Sequence, residues 1–175
     1  MNQRSSPIRI RQGSVADAPA LLEIYRPFVE STAVSFETSV PSIAEFAARI
    51  EKALSQWQWV TAEKDGQCVG YAYGSLLRER AAYRWSVEVS AYVHPREHRR
   101  GIARALYMQL FEDLARKGFC KAYAGIALPN DASIALHVSV GFEPIGVFRS
   151  VGRKFGRWHD VAWYQRTLRD SPPDA

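Results

Sequence analysis

The sequence predicts an α+β fold, a mostly antiparallel sheet covered by helices, and three features carry that expectation. Asp65-Gly66 lies between two runs rich in aromatic and β-branched residues, a strong hairpin signal. Trp85 to Val93 alternates, with Trp85, Val87, Val89, Ala91 and Val93 on one face and Glu88, Ser90 and Tyr92 on the other. Val93-His94-Pro95-Arg96-Glu97-His98-Arg99-Arg100-Gly101-Ile102-Ala103-Arg104-Ala105-Leu106 then runs from a strand through a basic, glycine-containing turn into an amphipathic helix, the first half of a strand–helix–strand crossover.

The elements follow in order. Ile8 to Arg11 alternates as a short strand, and Ser14-Val15-Ala16-Asp17 is a capping box opening a helix through Leu21, Leu22, Ile24 and Tyr25, which Pro27 should end or kink. Ser42 and Glu45 form a second capping box before Ile43, Phe46, Ile50 and Leu54, recurring at helical spacing. Trp57 to Glu63 and Gln67 to Gly74 pair antiparallel around Asp65-Gly66; residues 75–84 form a polar connection to the strand at 85–93. Ile102, Leu106, Leu110 and Leu114 stripe the next helix, closed by Arg116-Lys117-Gly118. Phe119 to Ala127 reads as a strand, and Leu128-Pro129-Asn130-Asp131 starts a short helix through Ile134, Leu136 and Val140 that stops at Gly141. Two strands near 144–152 and 159–168 surround a Gly-Arg turn. A single domain over 1–170 with a flexible tail at 171–175 is expected.

At 175 residues and 47% hydrophobic content the chain can bury a core without metal or disulfide. Cys68 and Cys120 lack metal-ligand spacing and read as buried free thiols of a cytoplasmic protein; no metal is expected. Neither a leader-like apolar segment nor a membrane-length run is present, so no membrane partner is expected. The net charge is +5, with basic residues spread along the chain and locally concentrated at 96–104 and 149–157, and a small polyanion accounts for the first cluster at least as well as nucleic acid does. A helix start offers unpaired N–H groups and the positive end of the macrodipole, so Arg99, Arg100, Gly101, Ile102, Ala103 and Arg104 form a candidate pyrophosphate cradle. A right-handed crossover sets the strand ending at Val93 beside that at 119–127, with this turn at their carboxyl ends.

His98-Arg99-Arg100-Gly101-Ile102-Ala103 resembles the Q/R-x-x-G-x-G/A loop of the GNAT superfamily of N-acetyltransferases, and Asn130 to Phe142 resembles its N-x-x-A-x-x-L-Y-x-x-x-G-F segment. His98 replaces the usual Gln or Arg, Ala103 takes the second glycine position, and His137 replaces the usual Tyr. Within the superfamily the chain is similar to phosphinothricin and methionine sulfoximine N-acetyltransferases through Ser35-Phe36-Glu37-Thr38, Tyr83 to Glu88, Tyr92-Val93, Leu128 to Asp131, His137 and Phe155 to Val161. The resemblance implies a GNAT-like twisted sheet of about seven strands with about four helices, a cofactor crevice between two central parallel strands, acetyl-CoA as co-substrate, and a homodimer. It also implies a small amino-acid acceptor with a tetrahedral, anionic or sulfoximine head.

Acetyl transfer from a thioester to an amine needs a proton acceptor, a polarised carbonyl and a protonated leaving thiol. Glu88, on the polar face of its strand, is the candidate base; from pattern alone it reads equally as a solvent-facing glutamate. His137 is the second catalytic candidate, its alternative being a packed helix histidine. By resemblance, backbone from Ser90 through Ala91, Tyr92 and Val93 holds the pantetheine arm, with Asn130 and Ser133 opposite. Phe36, Thr38, Tyr73, Arg78, Arg80, Tyr83, Glu88 and Ser90 are the candidate acceptor-binding residues, the arginines supplying forked donors to anionic groups. Trp57, Trp59, Trp163 and Tyr164 are assigned to core or subunit contacts.

The leading expectation is direct acetylation, in a ternary complex, of the α-amine of methionine sulfoximine, methionine sulfone or phosphinothricin. Acetylation of another amine (a protein N-terminus, an aminoglycoside, a polyamine) and a non-catalytic acyl-CoA sensor are the alternatives; a nucleic-acid-binding module ranks last.

Overall fold

In the computed structural model residues 7–173 are described, so the last two residues of the expected 171–175 tail lie outside the described residues. The strands are β1 (Arg9–Gln12), β2 (Trp59–Lys64), β3 (Gln67–Leu76), β4 (Ser86–Val93), β5 (Lys121–Ala127), β6 (Glu143–Lys154) and β7 (Arg157–Thr167). The helices are α1 (Ala18–Ser31), α2 (Ile43–Gln56), α3 (Ile102–Arg116) and α4 (Asp131–Ser139). One seven-stranded sheet runs β1-β2-β3-β4-β5-β7-β6, antiparallel except for the β4–β5 pair. The expected α+β architecture is therefore present, with the crossover through α3 placing β5 beside β4.

Both capping boxes form. Ser14 and Asp17 open a 3-10 turn that leads into α1, and Ser42 and Glu45 open α2. The α1 helix does not end at Pro27 but continues to Ser31. Pro27 lies on the exposed face, where the carbonyl of exposed Glu23 can turn to water, while Val29 beyond it is buried and Phe28 packs edge-on against Tyr92. The Asp65-Gly66 turn takes positive φ at both residues, as a two-residue hairpin requires. The last hairpin turns at Phe155-Gly156, both at positive φ, rather than at Gly-Arg, because Arg157 already pairs with Lys154. Cys120 is buried, but Cys68 is only partly so, its sulfur 3.9 Å from both Arg11 and Asp17.

The face of the sheet under α3 is built for close approach. Gly70, Ala72 and Gly74 of β3 lie opposite Val93, Ala91 and Val89 of β4, and Leu106, Leu110 and Leu114 of α3 are fully buried. A Cβ at Gly74 would come 2.9 Å from Val87 Cγ2 and 3.3 Å from Leu114 Cδ2, so a side chain there would lift the helix. The opposite face carries Tyr71, Tyr73, Glu88, Ser90 and Tyr92. Helices α1 and α2 cover its β2–β3 end with Tyr25 and Phe46, where the Trp59 ring stacks against both Tyr71 and Tyr73, at 4.9 and 4.6 Å.

Gly74→Val is expected to destabilise the fold by about 1–3 kcal/mol through overpacking. Gly146→Ala, whose Cβ meets nothing within 4 Å, should stay within about 0.5 kcal/mol. Urea unfolding of the two variants checks the contrast.

Candidate active site

Parallel pairing of β4 with β5 covers only Ser86–Glu88 against Lys121–Tyr123, after which the two strands part. The Trp85 carbonyl accepts from Cys120 on the β5 side and the His94 N–H donates to Val69 on the β3 side, which fixes the alternation along β4. The N–H groups of Ala91 and Val93 therefore point into the split, whereas those of Ser90 and Tyr92 point to β3. The Val93 carbonyl accepts from His98 Nε2 at 3.0 Å, so the histidine that departs from the family loop pins the basic turn to the strand end.

At the far side of that turn α3 begins at Gly101 with φ +76°, and no side chain caps it. By contrast, Ser42 caps α2 and Asn130 Oδ1 caps α4 through the Ser133 N–H. The uncapped N–H groups of Ile102, Ala103 and Arg104 stay open beside a glycine whose Cβ would meet nothing within 4 Å, the space a phosphate needs. Glu97, held by Lys64 at 3.1 Å and Arg100 at 3.2 Å, stiffens the turn. Arg99 sits at φ +61°, and Arg104 is tied to α4 through the Ser139 carbonyl at 2.6 Å, which fixes its charge beside the helix start.

On the face with Glu88 the split opens into a groove of about 530 Å³. Its floor is Glu88, Ser90, Gly125, Ala127, Val161 and Trp163; Ser35, Phe36 and Glu37 wall one side and Phe148 and Val151 of β6 the other. Burial pushes the Glu88 carboxyl above the usual carboxylate range, partly countered by the Arg78 charge. A raised carboxylate at the point where two strands part, beside an uncapped basic helix start, is equipped to take a proton from a bound amine.

Comparison with known proteins agrees with this geometry. The acetyltransferase (GNAT) domain family matches residues 10–163. The chain belongs to the GNAT acetyltransferase family. It is 34% identical over 174 residues to a phosphinothricin N-acetyltransferase of Streptomyces viridochromogenes, covering 99% of this chain and 95% of that protein. It is 35% identical over 168 residues to an L-methionine sulfoximine/L-methionine sulfone acetyltransferase of Salmonella typhimurium, covering 95% and 98%. A crystal structure of a GNAT superfamily phosphinothricin acetyltransferase from Sinorhizobium meliloti in complex with AcCoA superposes with a TM-score of 0.91 at 36% identity, covering 96% of this chain and 94% of that one.

Of the sequence-predicted residues, this acetyltransferase gathers Phe36, Arg78, Glu88, Ser90 and Tyr92 around the groove. The ring of Tyr92 packs with Tyr25, Phe28 and Tyr71, so its contribution there is a wall. Tyr73 pairs across the strands with Ser90 but lines the neighbouring aromatic cavity. Thr38, Arg80 and Tyr83 are exposed and outside the groove lining, Arg80 preceding the 3-10 turn Ala81–Tyr83. Trp163, assigned from sequence to core or subunit contacts, lines the groove, and its Nε1 has no partner among the described residues.

His137 stands apart from the groove lining. Its Nδ1 lies 2.7 Å from the Ser133 carbonyl, which can only accept, so Nδ1 carries the proton and Nε2 accepts from the Tyr107 hydroxyl at 3.0 Å. Tyr107 and Phe142 pack edge-on against the ring. Burial lowers its pKa, and the Ser133 carbonyl opposes that shift. The neutral ring thus joins α4 to α3.

The groove residues not expected from the sequence come from α1 and the loop after it (Tyr25, Val34, Ser35 and Glu37) and from β5, β6 and β7. Gly125 and Ala127 are two small residues on the Glu88 face of β5, and that small-residue pair is the signal for them in the sequence. Phe148 and Val151 reach the groove because β6 bulges between Phe148 and Gly152, with Ser150 at φ +48° and its N–H bonded to Asp160 at 2.8 Å.

Because the folded His137 resists protonation, the unfolded chain binds more protons as pH falls below the ordinary histidine range, and stability is lost in that direction. Urea midpoints between pH 7.5 and 5.5 should fall toward acid in the wild type and fall less in His137→Asn.

Proposed function

We propose that this chain transfers the acetyl group of acetyl-CoA to the α-amine of a small amino acid with a tetrahedral head, such as phosphinothricin, methionine sulfoximine or methionine sulfone. The observation that carries the reading is Glu88, partly buried in the groove where β4 and β5 part, with the uncapped α3 start at the end of the same split. The named relatives act on such acceptors and align over almost the whole chain.

When bound, acetyl-CoA supplies an activated thioester carbonyl. The N–H groups of Ile102, Ala103 and Arg104, with Arg99 and Arg100, hold its pyrophosphate; Ala91 and Val93 hold the pantetheine arm along the split. Asn130 and Ser133 border the arm from α4, with Asn130 Nδ2 left to donate while Oδ1 caps the helix. The residues fit the group because donors stand unpaired along its path and no side chain blocks Gly101.

Glu88 accepts the proton of the acceptor ammonium, directly or through one water, which frees the lone pair for attack; the C–N bond would form as the thioester C–S bond breaks, and the second proton shed by the amine would leave on the thiol. Arg78 holds an anionic group of the acceptor near Glu88, and Phe36 and Trp163 wall the head. Neither thiol lines the groove, and burial, with Asp17 beside it, raises Cys68 despite the nearby Arg11, so transfer proceeds without an acyl-enzyme. His137, neutral and doubly bonded, acts in this reading by holding α4, which carries Asn130 and Ser133.

We further propose that the enzyme works as a cytoplasmic homodimer with no nucleic-acid or membrane partner. Among the described residues no helix is long and apolar enough to cross a membrane. Strand β6 is a sheet edge of twelve residues with Ile145, Val147, Phe148 and Val151 exposed, a surface that a second copy can cover. Light scattering should give twice the 19.8 kDa chain mass; a monomer at micromolar concentration rejects the dimer.

Glu88→Gln is expected to lower kcat for phosphinothricin and methionine sulfoximine by about 10²–10⁴-fold with little change in the KM for acetyl-CoA. The wild-type kcat/KM should fall on the acid side through a limb lying above the ordinary carboxylate range, since the base must be ionised and burial raises it. Thiol release against a panel of amino acids, polyamines, aminoglycosides and peptides checks both; bound acetyl-CoA with no turnover on any acceptor would favour the sensor reading.

A further inference from the structure

Beside the groove, on the same face of the sheet, lies a second cavity of about 270 Å³ between α2 and strands β2 and β3. Tyr25 lines both spaces, and Tyr73 of the cavity is the cross-strand partner of Ser90 of the groove, so the two adjoin. The cavity walls are aromatic, with Phe46, Trp57, Trp59 and Tyr71. Among the described residues, the charged groups that line it are the cations Arg49 and Lys52.

The counter-charge to Arg49 comes from the other space. Glu37, a groove residue, reaches across with Oε1 at 2.5 Å from Nη1 and Oε2 at 3.3 Å from Nη2 of Arg49. The two carboxylate oxygens and the two guanidinium nitrogens form a forked pair. Both side chains remain partly open to solvent, at 45% for Arg49 and 34% for Glu37, so the pair can exchange partners without exposing a buried charge. Tyr25 stands at the junction, its hydroxyl 2.6 Å from Ser35 Oγ, which also accepts the Glu37 N–H at 3.2 Å. The carboxylate is thus delivered by the same short loop, Ser35 to Glu37, that walls the acceptor groove.

We propose that Arg49 is an exchangeable anion receptor for the acceptor, occupied by Glu37 at rest and taken over by the second anionic group of a dianionic amino acid such as phosphinothricin. The inference rests on the proposed amino-acid acceptor and deepens it. Arg78 meets one anionic group beside Glu88, and Arg49 meets the other at the mouth of the aromatic cavity, whose walls cover the intervening hydrocarbon. Arg49 then favours acceptors carrying two negative groups over those carrying one, and Glu37 acts as a built-in competitor that holds this preference down, because only an acceptor that uses Arg49 must displace it.

The competing explanation is that the Glu37–Arg49 pair only braces the loop. Bracing predicts that loss of either partner has the same effect, whereas exchange predicts opposite effects. The measurement is KM for phosphinothricin, with its carboxylate and phosphinate, against KM for methionine sulfone, with its carboxylate alone, at saturating acetyl-CoA. Arg49→Gln should raise the ratio of the two about tenfold, Arg49→Lys should raise it less, and Glu37→Gln should lower it severalfold. Shifts of Arg49→Gln and Glu37→Gln in the same direction, or no change in the ratio, overturn the exchange. The wild type is run first: turnover of neither acceptor overturns the proposed substrate class itself, which separates that failure from failure of the receptor.

Discussion

The parting of β4 and β5 after Glu88 is the constraint on which the rest of the site depends. A sheet interior satisfies its backbone by pairing on both sides, and β4 forgoes that on one side beyond its third residue pair with β5. The N–H groups released at Ala91 and Val93 are then available to a ligand that threads between the strands. The same opening lets Glu88, on one face, address a ligand anchored at the α3 start, which packs on the other. Small residues beneath α3 set that helix close to the sheet, which carries Gly101 and the basic turn to the mouth of the split.

The acceptor side is assembled from segments distant in sequence. Lys154, buried at the end of β6, donates to the carbonyls of Val29 at 2.6 Å and Ser35 at 2.7 Å, tying the last turn of α1 and the Ser35–Glu37 loop to the β6–β7 hairpin. Burial lowers its pKa, while the negative end of the α1 dipole and the nearby Glu37 favour the charged form. Gly152 lets Phe36 lie against β6, since a Cβ there would fall 2.1 Å from the ring. His159 donates from Nε2 to the Lys154 carbonyl and lies near Phe36. His159 and Asp160 are therefore structural: His159 secures the hairpin end and Asp160 holds the bulge that aims Phe148 and Val151.

Much of this was legible in local sequence. Alternation placed Glu88 and Ser90 on one face of β4, the two capping boxes formed as read, and the leucine stripe of α3 is buried throughout. These are local facts, decided by periodicity and by hydrogen bonds within a few residues. The resemblance added the order of the two motifs and the crevice between parallel strands. Pro27 does not end α1, because what counts is which face of the helix it occupies and what Val29 buries beyond it.

The sequence by itself determined the elements, the basic helix start and a carboxylate on the open face of a strand, because each follows from side-chain spacing along one segment. Tertiary structure decided the rest, since contact between segments has no local signature. It put both ring nitrogens of His137 into bonds between α3 and α4, brought Trp163 out of the core into the groove, and left Thr38, Arg80 and Tyr83 outside it. It also set Glu37 against Arg49, twelve residues away, between two spaces that no spacing rule connects.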